Sequence, residues 1–185
     1  MIKTRQDLKH YLKEDCKANT GKTDVNIIKY LIGLYYKQEN ILAYRYLKAL
    51  RHREYHINNK SLYHKIAQLY YRIKQHRLGH FYGIQIHPNT VREGLYLPHM
   101  GGVIINCKSM GYGCIVSTGV VIGNKALQEN RATIGNNVQF CVGCKVIGKV
   151  TIGDNAIIAP NTVVIKDVPS GTIVSGIPAE IIKKR

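Results

Sequence analysis

The chain has 185 residues, 45% of them hydrophobic and 21% charged, with a formal net charge of +16. That composition excludes a disordered or fibrous chain and suits one core-forming domain, or one domain with a small helical extension. No apolar run reaches the roughly 18 residues of a membrane span, and the charged start MIKTRQDLKHYLKED lacks a signal-peptide core, so a cytoplasmic protein is expected.

The charge is uneven. Residues 1–80 hold 17 Lys/Arg against 6 Asp/Glu, and residues 81–185 hold 10 against 5. A positive field attracts anions. Nucleic acid, an acidic lipid surface, an anionic sugar donor and a phosphorylated cofactor all satisfy it.

Residues 1–80 read as an α-helical N-terminal segment. Thr4-x-x-Asp7 resembles a capping box, and Leu8, Tyr11, Leu12, Asp15 and Cys16 follow at helical spacing until Asn19-Thr20-Gly21 ends the run. Ile41, Leu42, Arg45 and Tyr46 begin a second face. Leu62, Ile66, Leu69, Tyr70 and Ile73 form a cleaner third, read as core. Ten of the thirteen tyrosines lie here. At helical spacing they fit core and snorkelling surface better than a nucleic-acid platform.

Residues 81–185 change period. Stepping by six from Met110 meets Val116, Ile122, Gln128, Ile134, Phe140, Val146, Ile152, Ile158 and Val164. Four residues after these positions stand Cys114, Val120, Ala132, Val138, Cys144, Val150, Ala156 and Thr162, all small or β-branched. Glycine often follows the large residue. Six is not a multiple of 3.6, so no helix carries this pattern. One large inward residue, one small inward residue and a turn glycine per six describe a left-handed parallel β-helix, a solenoid whose coils bury their faces only by stacking. The expected fold is therefore α+β, mainly β: a helical segment, then a left-handed β-helix of hexapeptide repeats. Gln128 breaks the pattern within the polar stretch 124–132, which reads as a loop extruded from the coil without loss of phase.

Five cysteines, an odd number, fit buried thiols. Cys141-Val-Gly-Cys144 has no second pair at zinc spacing, so no metal is expected. No nucleotide-binding glycine loop of the GxGxxG or GxxxxGK[ST] type occurs. One histidine stands out. His99, in GLYLPHMGG, is the last of the eight and lies in an otherwise apolar, glycine-flanked run.

The repeats, GLYLPHMGG, VVIGNK, TIGNNV, TIGDNAIIAPNTVV and VPSGTIVSGIPAEII together resemble serine-acetyltransferase-type hexapeptide acyltransferases, over about residues 81–185. The likeness is to the short branch found with polysaccharide synthesis. It implies an acetyl-CoA-dependent O-acetyltransferase, a homotrimer with active sites in clefts between subunits, and helices able to pair trimers. By this resemblance His99 is the general base and Gly123 supplies an oxyanion donor. Gly123, Asn124, Gly143, Cys144, Ala159 and Pro160 would line the pantetheine arm, with Lys145 and Lys166 near the nucleotide phosphates. His87, in IQIHPNT, marks the first coil turn.

Two departures stand out. Where the family pairs its histidine with an aspartate, this chain has Gln85, so either Gln85 or Glu93 is expected to support His99. Pro98 replaces the acidic residue before the histidine, and Asn130-Arg131 replaces an Arg-His pair. These changes favour a sugar or polysaccharide hydroxyl as acceptor, with Arg131 or Glu93 meeting it, over serine. They leave open serine O-acetylation in cysteine synthesis, and a non-catalytic trimeric scaffold that binds an anionic partner. The basic segment would suit a membrane-associated or lipid-linked acceptor.

Overall fold

The structure is a computed structural model, and it describes residues 1–124 and 129–184. Gln128 lies outside the described residues, as do the three residues before it in the polar stretch 124–132. Helix α1 (Arg5–Thr20) starts on the expected capping box: Asp7 N donates to Thr4 Oγ1 at 3.0 Å, and Thr4 N to Asp7 Oδ2 at 2.8 Å. It stops at Gly21, whose φ of +72° reverses the chain. Three more helices follow, α2 (Ile27–Tyr35), α3 (Glu39–Ile57) and α4 (Leu62–Tyr82).

From Ile84 onward the chain coils as a left-handed β-helix. One side stacks β1 (Ile84–Ile86), β2 (Val103–Ile105), β5 (Val121–Gly123), β8 (Lys145–Ile147) and β11 (Val163–Val164). A second stacks β4 (Ile115–Val116), β7 (Gln139–Phe140), β10 (Ile157–Ile158), β12 (Thr172–Ser175) and β13 (Glu180–Lys184). The third stacks β3 (Ser109–Met110), β6 (Thr133–Ile134) and β9 (Thr151–Ile152). Every pair is parallel except β12–β13. Phe140 pairs with Ile158, eighteen residues on, whereas Ile122 pairs with Val146, twenty-four on. The six extra residues are one hexapeptide, so the insertion leaves the phase intact.

The repeat positions do what their chemistry requires. Among the described residues, the large series from Met110 to Val164 is buried, and so is the small series from Cys114 to Thr162. Leu42, Ala43, Tyr46, Leu47 and Leu50 of α3 close the open top of this core.

A solenoid leaves the backbone of its first coil unpaired. Here the helices satisfy it. Tyr46 Oη accepts from Ile86 N at 3.1 Å, and Gln75 Nε2 donates to Ile86 O at 3.0 Å. Asn19 brackets the second side, donating to Leu95 O at 2.8 Å and accepting from Leu97 N at 3.1 Å. Asp15 accepts from Gly94 N at 2.8 Å. The fully buried Arg51 donates to Asp15 Oδ2 at 2.7 Å, Glu54 Oε2 at 3.0 Å, Val91 O at 2.7 Å and Arg92 O at 2.8 Å. Burial opposes its charge, but the carboxylates of Asp15 and Glu54 more than offset this and raise its pKa.

One helical expectation fails. The apolar stripe of α4 faces solvent, and the buried side of the helix is Gln75, Gly79 and Tyr82. Periodicity marks a stripe but not the side from which it is covered.

Candidate active site

The corner that carries His99 is built for close backbone approach. Gly83, Gly102, Gly119 and Gly143 stack there with φ between +66° and +72°, and Asn161 continues the column at +56°. A Cβ on Gly83 would meet Gly102 N at 3.0 Å, so side chains are excluded where successive coils turn. Thr118 Oγ1 ties the corner down by donating to Gly101 O at 2.6 Å. His99 projects from this corner.

Its partner is neither of the expected residues. His99 Nδ1 lies 2.8 Å from Glu39 Oε2. Glu39 is the first residue of α3, where the helix dipole favours a carboxylate. Gly33 lets α2 close against the start of that helix: a Cβ there would meet Ile41 Cγ1 at 2.6 Å. An Nδ1–H that donates to a carboxylate leaves Nε2 as the proton acceptor. The pair is open to solvent, with the His99 side chain 68% exposed and Glu39 51%.

Gln85 lies elsewhere. Its side chain points outward from β1 into a cavity of about 550 Å3 between α4 and the first coil, which Arg53, Gln75, His76, His80 and His87 also line. His99 is not among the residues lining it. Glu93 is engaged on the α1 side. Burial works against its charge, but its own backbone amide, Arg92 (3.1 Å) and Tyr11 hold its pKa below the usual carboxylate range. Glu93 is therefore held by Arg92 and Tyr11 and makes no hydrogen bond to His99.

The residues expected to hold the cofactor divide between two corners. Gly143 and Cys144 follow the His99 corner down, and Ala159 and Pro160 lie just before Asn161 on the same column. Gly123, Asn124 and Lys166 mark the opposite edge of the β1–β2–β5–β8–β11 side, since Gly123 pairs with Ile147 and Val164 with Val146. The two columns are about four extended residues, roughly 13 Å, apart. Within one chain, Gly123 N–H therefore cannot serve an oxyanion formed at His99. Among the described residues, a Cβ at Gly123 would meet nothing within 4 Å.

Cys144 turns its thiol into the core, where burial pushes the pKa to about 12, so only its backbone faces outward. Lys145 Nζ donates to Gly119 O and is committed to the fold. Lys166 is exposed. Arg131 is half-buried, and its Nε has no hydrogen-bond partner among the described residues. Among the described residues, no three His, Cys, Asp or Glu side chains cluster as metal ligands. No helix of the described residues is long and apolar enough to cross a membrane.

Sequence reasoning missed Glu39. It is the only acidic residue between Asp24 and Glu54 in a strongly basic segment, an isolation that marks the residue without naming its partner.

Residues 131–166 match the bacterial transferase hexapeptide (six repeats) family model. A serine acetyltransferase of Synechococcus elongatus is 38% identical over 104 residues, covering 54% of this chain and 43% of that protein. One from Staphylococcus xylosus is 34% identical over 134 residues, covering 70% of this chain and 62% of that protein. The chain thus spans about half the length of these curated relatives. Among solved structures, serine acetyltransferase from Brucella abortus superposes with a TM-score of 0.72 at 22% identity, over 97% of this chain and 70% of that one. A serine acetyltransferase solved in complex with CoA gives 0.69 at 18% identity, over 96% and 71%.

Proposed function

We propose that this chain, which is similar to serine acetyltransferases through its hexapeptide repeats, is an acetyl-CoA-dependent O-acetyltransferase with the serine hydroxyl as acceptor. The observation that carries this reading is the Glu39–His99 pair at a glycine corner. His99 Nε2 takes the acceptor's hydroxyl proton as the oxygen attacks the thioester carbonyl. The tetrahedral intermediate collapses with loss of the C–S bond, and the imidazolium returns the proton to the CoA thiolate. Glu39 fixes the tautomer and steadies the transient positive charge.

Serine now stands ahead of a sugar. Glu39 supplies His99 with the carboxylate that Gln85 lacks. The relatives matched by sequence are serine acetyltransferases. A sugar or polysaccharide hydroxyl stays as the second reading because Pro98 and Asn130-Arg131 stand where the resemblance implies groups that hold an amino-acid acceptor.

Acetyl-CoA would lie along the Gly143–Pro160 column, with Gly123, Asn124 and Lys166 contributed from the facing edge of a neighbouring copy. That two-column arrangement favours a homotrimer. The experiment is thiol release from acetyl-CoA by wild type and His99→Ala, with L-serine and sugar acceptors offered separately. Turnover with serine that the mutation abolishes supports the proposal. Turnover with a sugar alone replaces the acceptor, and failure to bind acetyl-CoA overturns the enzyme reading in favour of a scaffold.

A further inference from the structure

We infer that the outward face of α4, together with α2, is a docking surface for a bilayer that carries anionic headgroups. Leu62, Ile66, Leu69 and Ile73 recur at 4-3-4 spacing on α4, and each is between 52% and 73% exposed. The packed side of the helix lies nearly opposite, at Gln75, Gly79 and Tyr82. On α2, Ile27, Ile28, Leu31 and Ile32 are also exposed. The two helices flank α3 on one side, where Tyr30, Lys48 and Lys74 line a shared groove. Apolar patches of this extent mark interaction sites.

The charges around the stripe choose the occupant. Helix α4 has no Asp or Glu along its 21 residues. Lys65 and Arg72 flank the stripe on one side, and Tyr63, Tyr70 and Lys74 on the other, with Lys74 Nζ 5.6 Å from the Tyr70 ring centre. If a second copy paired through this stripe, its flanking positions would set lysine and arginine against lysine and arginine, with no carboxylate to relieve them. Nucleic acid would match the cations but not a row of leucine and isoleucine. A bilayer interface matches both. Aliphatic side chains enter the acyl boundary, tyrosines sit at headgroup depth, and cationic side chains reach anionic phosphates. The inference stands on the helical face alone and does not depend on the acceptor.

The test is co-sedimentation of the full chain with phosphatidylcholine vesicles and with vesicles containing phosphatidylglycerol, at low and high salt. Wild type should bind the anionic vesicles, and binding should weaken as salt rises. Ile66→Glu/Ile73→Glu and Lys65→Glu/Arg72→Glu should each weaken binding at least about tenfold. All these side chains are exposed in the fold, so circular dichroism and oligomer mass should be unchanged. If the aliphatic pair unfolds the chain, the charge-reversal pair still decides. Absence of binding to anionic vesicles overturns the inference. So does a fall in oligomer mass in either variant, which would assign the face to a second copy. Binding to an oligonucleotide that displaces vesicles and survives Ile66→Glu/Ile73→Glu would overturn it as well.

Discussion

Replacing Glu39 with glutamine keeps an acceptor for His99 Nδ1–H and removes only the charge. The size of the effect follows from exposure. With His99 68% and Glu39 51% exposed, water screens the pair, and its worth is that of a surface ion pair, up to about 1 kcal/mol. That corresponds to about a fivefold loss in kcat/KM. Glu39→Ala, which also frees the imidazole to rotate, should cost about tenfold. Removing the base itself, His99→Ala, should cost roughly 10²–10⁴. The assay is acetyl-CoA-dependent thiol release with the productive acceptor. Ordered losses in this sequence support Glu39 as the positioning partner. Full activity in Glu39→Gln, with a large loss in Gln85→Leu, would refute it and restore the partner expected from sequence. A thousandfold loss in Glu39→Gln would show that the pair is dry in the active assembly, so that exposure in a single chain sets the wrong scale.

Arg51→Met should destabilise the fold by about 3–5 kcal/mol in chemical denaturation, because Asp15 and Glu54 would be left buried without their cation; a change under 1 kcal/mol would mean that water reaches them. Gly33→Ala should cost about 1–3 kcal/mol through its clash with Ile41. It should also lower kcat by displacing the start of α3, whereas loss of stability without loss of kcat would separate α2 packing from Glu39 placement. Burial first, then Lys48, His56 and Lys74, lowers the His52 pKa to about 4. The unfolded chain takes that proton near pH 6.5 and the folded chain only near 4. Stability should therefore be full above pH 6.5 and fall by about 1–2 kcal/mol, allowing for the partial exposure of the ring, as pH drops to 4. His52→Phe, which keeps the stack on Tyr71, should flatten that slope in pH-dependent melting.

The coil was legible because its period is short and its chemistry repeats: a residue such as Phe140 faces inward for the same local reason as Ile134 six residues before it. The cap on α1 was legible because Thr4 and Asp7 are three residues apart. The α4 stripe was legible as a stripe but not as surface, since the helix packs through Gln75 and Gly79, residues that no hydrophobic pattern selects. Glu39 was out of reach for another reason. It meets His99 across 60 residues of sequence, through a helix start whose position depends on Gly33 accepting Ile41. No local spacing encodes that contact.

The two corner columns bear on how much of a site one chain can hold. His99, Gly143 and Pro160 lie along one edge of a β-helix side, and Gly123, Asn124 and Lys166 along the other, with three residues such as Cys144, Lys145 and Val146 between them. The parallel register is rigid, and each strand is held above and below by backbone hydrogen bonds, so no side-chain rotation brings the edges together. A molecule that needs both the base at one edge and Gly123 at the other must sit where an edge of one copy meets the opposite edge of the next. The repeat that makes the fold so regular thereby keeps the two sets of residues apart within one chain, and only a second copy can bring one set against the other.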